Sequence, residues 1–319
     1  MKTKDVFFNE FGRLRSGWRF AVFMLAFLLI GGILISIASA AMYSLSGPAT
    51  LDQVVFLTVT DLVALVAAIV LGWLAGRLFE GLPFKAIGAA PTGRWFKHLT
   101  AGLMVGAVSL ALAALVASAG GGLRFTLSGF DASSIIRSLA LSAGVFLIAG
   151  AFEEAVFRGY VFQTFTRAGL GWFALLITSC FFGVVHLMNP NPGTISTINT
   201  MLAGLWLGVA YLKTRDLWFP LGVHMAWNWA QSAVFGVEVS GMTGLIPAPL
   251  MKEIDSGPAW LTGGDYGLEG GIACTIALLI STLVIYAGPW LKADEDLLAL
   301  SSTESLEPRI TVLRPSADS

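Results

Sequence analysis

Between two apolar flanks the chain reads Ala151-Phe152-Glu153-Glu154-Ala155-Val156-Phe157-Arg158-Gly159. Insertion scales put one acidic or basic side chain at the centre of a spanning helix at about 2.5–3.5 kcal/mol. Three such groups in six positions are therefore costly unless they pair or perform a task. Glu154 and Arg158 stand at i and i+4 on a helix and can pair, whereas Glu153 points elsewhere. Two later apolar runs bring histidines. His186 ends Phe182-Gly183-Val184-Val185-His186. His224 opens His224-Met225-Ala226-Trp227-Asn228, whose spacing puts His224 and Asn228 on one helix face.

These residue types suit hydrolysis. A carboxylate and an imidazole in a low-dielectric cavity can take a proton from water and aim the hydroxide at a carbonyl. A tetrahedral oxyanion needs donors, and an imidazole N–H and an amide one helical turn apart supply two. Water is a reactant, so such groups inside a bundle imply a hydrated cavity. One carboxylate with two histidines is also a known zinc ligand set. The chain has no His-Glu-x-x-His, so such ligands would come from separate helices.

The elements that must position these groups are membrane spans. Of 319 residues, 56% are apolar and 12% charged, and the mean hydropathy is +0.78. A soluble domain carries about 25% charged residues. The apolar runs are near 20 residues long and do not alternate, which predicts helices rather than a barrel. The expected fold is an all-α polytopic bundle of about eight spans. Their ranges are about Phe20–Leu45, Val54–Leu74, Leu99–Ala117, Ile135–Phe165, Trp172–Met188, Ile195–Leu212, Phe219–Phe235 and Gly271–Leu291. The fourth is expected as one long tilted helix with Glu153 near its middle. Residues 1–19 form a basic leader, 20–291 the membrane domain with core motifs in 148–229, and 292–319 a polar tail expected to be disordered.

The first run is too long for a signal-peptide core and reads as an uncleaved span. With eight spans, every lysine and arginine except Arg124, Arg137 and Lys252 falls on one side, which predicts cytoplasmic termini. A net charge of −1 argues against nucleic acid as a partner. The two cysteines, Cys180 and Cys274, lie in apolar runs and read as packing residues. His98, at the end of a basic linker, reads as a solvated or headgroup-level group. Asp61 stands alone about two turns into the second span and receives no role.

The ordered set Glu153-Glu154-x-x-x-Arg158, Phe182-x-x-x-His186 and His224-x-x-x-Asn228 resembles the CAAX protease and bacteriocin-processing family, also called CPBP or Abi. That family includes the Ras-converting CAAX endopeptidases. The leader Gly12-Arg13-Leu14-Arg15-Ser16-Gly17-Trp18-Arg19 and the loop Leu261-Thr262-Gly263-Gly264 are similar to bacterial members. The resemblance implies an intramembrane endopeptidase, in a bacterial inner membrane, acting on a membrane-associated peptide or protein. By it, Glu153 and His186 activate water, Glu154 and Arg158 hold the arrangement by charge pairing, and His224 with Asn228 forms the oxyanion site. It favours a glutamate mechanism without metal over a zinc protease. Bacterial relatives generally lack prenylated substrates, so a CAAX specificity is not carried over.

Two other classes use the same residues. One is a membrane protein that only binds a peptide, as in bacteriocin immunity; the other is a transporter with Glu153 as proton relay. No internal repeat supports transport. A packing pair Glu154–Arg158 accounts for those two residues but not for Glu153 or the histidines. His186 precedes the Asn189–Gly193 turn by only three positions, so it meets Glu153 only if that turn dips inward or its helix is offset. Such a dip is expected.

Overall fold

In a bilayer every backbone polar group of a span must be satisfied within the protein, which restricts apolar runs to helices or closed barrels. The computed structural model describes residues 3–47 and 52–302, and its apolar runs are helical. They are α1 (Ser16–Ser46, with one π-type turn at Phe27–Gly31), α2 (Gln53–Glu80), α3 (Trp95–Ala119), α4 (Ala132–Phe157), α5 (Tyr160–Arg167), α6 (Gly171–Val185) and α7 (Thr194–Thr214). Then come α8 (Trp218–Trp229, continued by a π-type turn over Ala230–Val234) and α9 (Ile272–Ala287). The protein is a polytopic helical membrane bundle. Among the described residues six helical segments are long and apolar enough to cross a membrane, with α4 and α5 together making one of them. The seventh and eighth expected runs are present as helices but are shorter.

Four features depart from the sequence reading. The fourth run is not one continuous helix. It breaks at Gly159, where ψ is −133°, and a Cβ there would meet the Ala155 carbonyl oxygen at 2.1 Å. The all-α expectation needs one addition: β1 (Leu123–Leu127) pairs antiparallel with β2 (Met251–Asp255), with Leu123 opposite Asp255. This ribbon ties the linker after α3 to the long loop after α8. Within the expected disordered tail, Glu295–Ser302 forms a helix, α10, because Leu297 is buried; residues 303–319 lie outside the described residues. His98 is not solvated: it is 2% exposed, and its Nδ1 contacts the fully buried Asp216 carboxylate.

That last contact has a positional consequence. The other oxygen of Asp216 accepts hydrogen bonds from the backbone N–H groups of Trp218 and Phe219, at 3.1 and 3.2 Å. Asp216 thus caps the start of α8 and, through His98, fixes it to the start of α3. A second buried cluster joins α1, α2 and α5. Arg167 donates to both oxygens of Glu80, at 2.8 and 2.9 Å, and Arg19 approaches the same carboxylate at 2.9 Å. Arg19 and Arg167 therefore act as buried struts rather than loop charges.

The most extensive helix–helix interface among the described residues is α3 against α8. Without a hydrophobic drive between helices in lipid, close packing needs small residues at the seam. Gly102 and Gly106 of α3 supply it. A Cβ on Gly106 would lie 2.1 Å from the Val223 carbonyl oxygen, one residue before His224. Glycine at this seam thus sets the depth of the helix that carries His224 and Asn228. Gly106→Ala is expected to lower the unfolding midpoint in detergent, with a stability cost of about 1–3 kcal/mol typical of overpacking. Gly32→Ala on α1, where a Cβ meets nothing within 4 Å, should leave the midpoint unchanged or raise it. Equal effects of the two substitutions would contradict the close-approach argument.

Candidate active site

Glu153 and Glu154 lie in the last turn and a half of α4, and Arg158 is at its C-terminal cap. Adjacent acids point to different sides of a helix, and here the two have different surroundings. Glu154 is 1% exposed. Its Oε1 accepts from Arg158 Nη1 at 2.9 Å and from His224 Nδ1 at 2.9 Å. Arg158 is fully buried, donates from Nη2 to the Gly204 carbonyl on α7 at 2.9 Å, and lies 4.8 Å from the centre of the Phe182 ring. One carboxylate therefore links α4 to α8 directly and to α6 and α7 through its arginine. Glu153 is 24% exposed at its side chain and makes no hydrogen bond among the described residues; its Oε2 lies 3.7 Å from His224 Nε2.

The two histidines differ in their partners. His186 lies just past α6, and its Nδ1 donates to the Phe182 carbonyl at 2.6 Å, which leaves Nε2 free of a proton in the neutral ring. A bare Nε2 is a base. His224 donates from Nδ1 to Glu154, so its Nε2 carries a proton only in the imidazolium form. The carboxylates of Glu153 and Glu154 flank that ring on its two nitrogen sides, which compensates such a charge. As imidazolium, His224 has an Nε2 donor turned toward the cavity. The Phe182 ring contacts both imidazoles, with centroids 4.6 Å from His186 and 6.0 Å from His224.

Glu153, His186, His224 and Asn228 all border one cavity of about 260 Å³. Glu154 and Arg158 do not border it and stand behind it. Asn189, the first residue of the turn expected to dip inward, is a wall residue too. Asn228 is half-buried and makes no side-chain hydrogen bond among the described residues. The apolar walls include Phe146, Phe182, Trp206 and Trp227.

The cavity also has wall residues that sequence reasoning missed. Asn199 of α7 donates to the carbonyls of Glu269 and Gly271, both at 2.8 Å. Glu269, in the loop before α9, accepts from Trp227 Nε1 at 3.1 Å and from the Ser240 N–H and hydroxyl at 2.7 and 2.8 Å. These contacts fasten the loop over the cavity. The only sequence signal was the Gly263-Gly264 stretch beside it, where Gly263 has φ of +100° and a Cβ would meet the Gly267 carbonyl oxygen at 1.8 Å. Cys274 borders the cavity as a buried free thiol, and Cys180 is free and half-buried. Among the described residues no three His, Cys, Asp or Glu side chains are disposed to hold a metal ion.

Comparison with known proteins matches residues 135–230 to the family of Rce1-like type II CAAX prenyl endopeptidases. All six motif residues fall inside that segment. The family matched over this segment agrees with the resemblance read from the motifs. The uncharacterized protein YyaK of Bacillus subtilis strain 168 is 26% identical over 200 residues. That match covers 59% of this chain and 64% of YyaK.

The different surroundings of the paired glutamates predict different consequences of neutralising them. Glu154→Gln leaves Arg158 and His224 without their shared anion and is expected to cost about 3–5 kcal/mol, as for removal of one partner of a buried ion pair. Glu153→Gln has no hydrogen bond to lose and is expected to cost less than about 1 kcal/mol. Denaturant unfolding in detergent measures both; the reverse order would contradict the geometry.

Proposed function

We propose that the protein is an intramembrane endopeptidase that hydrolyses a peptide bond of a membrane-associated peptide or protein by a glutamate- and histidine-activated water. The observation that carries this reading is the convergence of Glu153, His186, His224 and Asn228, from three separate parts of the chain, on one cavity. A packing role for the charges requires no such cavity.

In this reading a water molecule sits between Glu153 and His186. Glu153, acting as general base with His186 beside it, takes its proton while the hydroxide oxygen bonds to the scissile carbonyl carbon. The carbonyl π electrons move onto oxygen, and the oxyanion is met by the His224 Nε2–H and the Asn228 amide N–H. Collapse re-forms the carbonyl and breaks the C–N bond. The proton taken from water passes to the leaving nitrogen, giving a carboxylic acid and an amine. Glu154 and Arg158 touch neither water nor substrate; they hold His224 in place and are positioning residues. The six site residues, the substrate class and the bacterial inner membrane as location are parts of this proposal. No step in this reading is routed through zinc.

The test is cleavage of a pooled membrane-peptide library by purified, detergent-solubilised protein, read by mass spectrometry, for wild type and Glu153→Gln, with and without chelator. The expected result is cleavage that survives the chelator and falls by 10²–10⁴-fold in Glu153→Gln, the range for loss of a general base. Loss of cleavage with chelator would replace the mechanism by a metal-dependent one. Retention of a library peptide by both proteins without cleavage would replace it by a binding role.

A further inference from the structure

Asp61 is an ionisable group of the cavity wall with no part in this chemistry. Asp61 lies about two turns into α2, inside an apolar span, half-buried. It forms no hydrogen bond or ion pair among the described residues, yet it borders the same cavity as Glu153 and is close enough for the two charges to interact. At membrane depth an unpaired acid of this kind is costly and marks a functional site by default.

The wall as a whole is short of positive charge. It holds three carboxylates, Asp61 from α2, Glu153 from α4 and Glu269 from the loop before α9, and no lysine or arginine. Glu269 is held by neutral donors only, Trp227 and Ser240. Arg158 is committed to Glu154 behind the wall and does not enter the cavity. The groups of opposite tendency that face Asp61 and Glu153 are His186 and His224, and one of these is already flanked by Glu153 and Glu154. His224 also borders this cavity, 7% exposed, with its Nε2 3.7 Å from Glu153 Oε2.

We propose that Asp61 is a specificity-determining residue that binds the ammonium or guanidinium of a substrate lysine or arginine, so that the enzyme prefers peptide bonds close to a basic side chain. Desolvated opposite charges at contact attract far more strongly than in water, so an unpaired carboxylate in an enclosed apolar wall discriminates a cation from its neutral isostere. The aromatic rings of Trp206 and Trp227 in the same wall suit a cation as well. Lysine has a neutral isostere in norleucine, which keeps the chain and lacks the ammonium. The inference rests on the peptidase reading for its consequence in cleavage, but the recognition itself is a binding event and can be read separately.

The experiment uses the full-length protein in detergent and two quenched-fluorescence peptides with the same apolar host sequence, one with a single lysine and one with norleucine at that position. The lysine position is scanned across the host. Binding to Glu153→Gln and to Glu153→Gln/Asp61→Asn is measured by thermophoresis, and cleavage is measured for wild type and Asp61→Asn. The expected result is that the best lysine peptide binds and is cleaved at least about tenfold better than its norleucine match, and that Asp61→Asn removes most of that ratio. Cleavage of both peptides with equal efficiency, or a lysine preference that persists in Asp61→Asn, overturns the proposal and leaves the peptidase reading intact. A lysine preference in binding that depends on Asp61, with no cleavage by wild type, supports the recognition and removes the peptidase reading. Loss of binding of both peptides in equal measure in the Asp61→Asn protein would make Asp61 structural and overturn the proposal.

Discussion

A single buried carboxylate holds the site together. Glu154 is out of reach of water and shared by a guanidinium and an imidazole through one oxygen. Charges taken out of water are stable only when each finds a partner of opposite sign with good geometry. That requirement fixes α8 against α4, because His224 must reach Glu154. It also fixes Arg158, whose remaining reach ends on the Gly204 carbonyl and so brings α7 into place. The helix break at Gly159 follows from the same point, since the Arg158 and Gly159 N–H groups both close on the Glu154 carbonyl. Glu153 is left free of these constraints, at the cavity wall.

The remaining structure brings the other parts to that centre. Asp216 and His98 fix the start of α8, and the Gly102–Gly106 seam fixes how closely it approaches α3. The buried Glu80 with Arg19 and Arg167 fastens the other end of the α4–α5 span to α1 and α2. On the opposite face the Glu269 loop, held by Trp227, Ser240 and Asn199, covers the cavity. The Asp216 and Glu80 clusters place helices, and the Glu269 cluster places a loop.

How much of this could be read from the chain depends on the range of each signal. Helical spans are local, since twenty apolar residues in lipid leave few alternatives, and all eight runs are helical even where they are short. The motif residues were legible because charge in an apolar run is conspicuous, and the i, i+4 relations of Glu154 with Arg158 and of His224 with Asn228 follow from helix geometry alone. Long-range pairings were not legible. Nothing in Lys97-His98 announces a partner at Asp216, and nothing in the leader shows that Arg19 will be buried on Glu80. The same holds for Glu269, which sits in a loop with no periodicity, and for the partner that each face of α4 meets. The break at Gly159 was open to a better reading, because a glycine directly after a buried arginine in a span is a place where a helix can turn. Asp61 was visible as an anomaly, but its meaning required the cavity.

In the proposed reaction the two cavity histidines differ in state, His186 with a bare Nε2 beside Glu153 and His224 as a donor, and what each Nδ1 touches sets that difference. The chain has only three histidines, so ¹⁵N-histidine solid-state NMR of the protein in bilayers at neutral pH, with His98 and His186 variants for assignment, resolves each ring. The account predicts His186 as a neutral ring with a protonated Nδ1 and a bare Nε2, and His224 protonated on both nitrogens between Glu153 and Glu154. A neutral His224 with a bare Nε2 facing the cavity would contradict it, because that ring has no proton to offer an oxyanion.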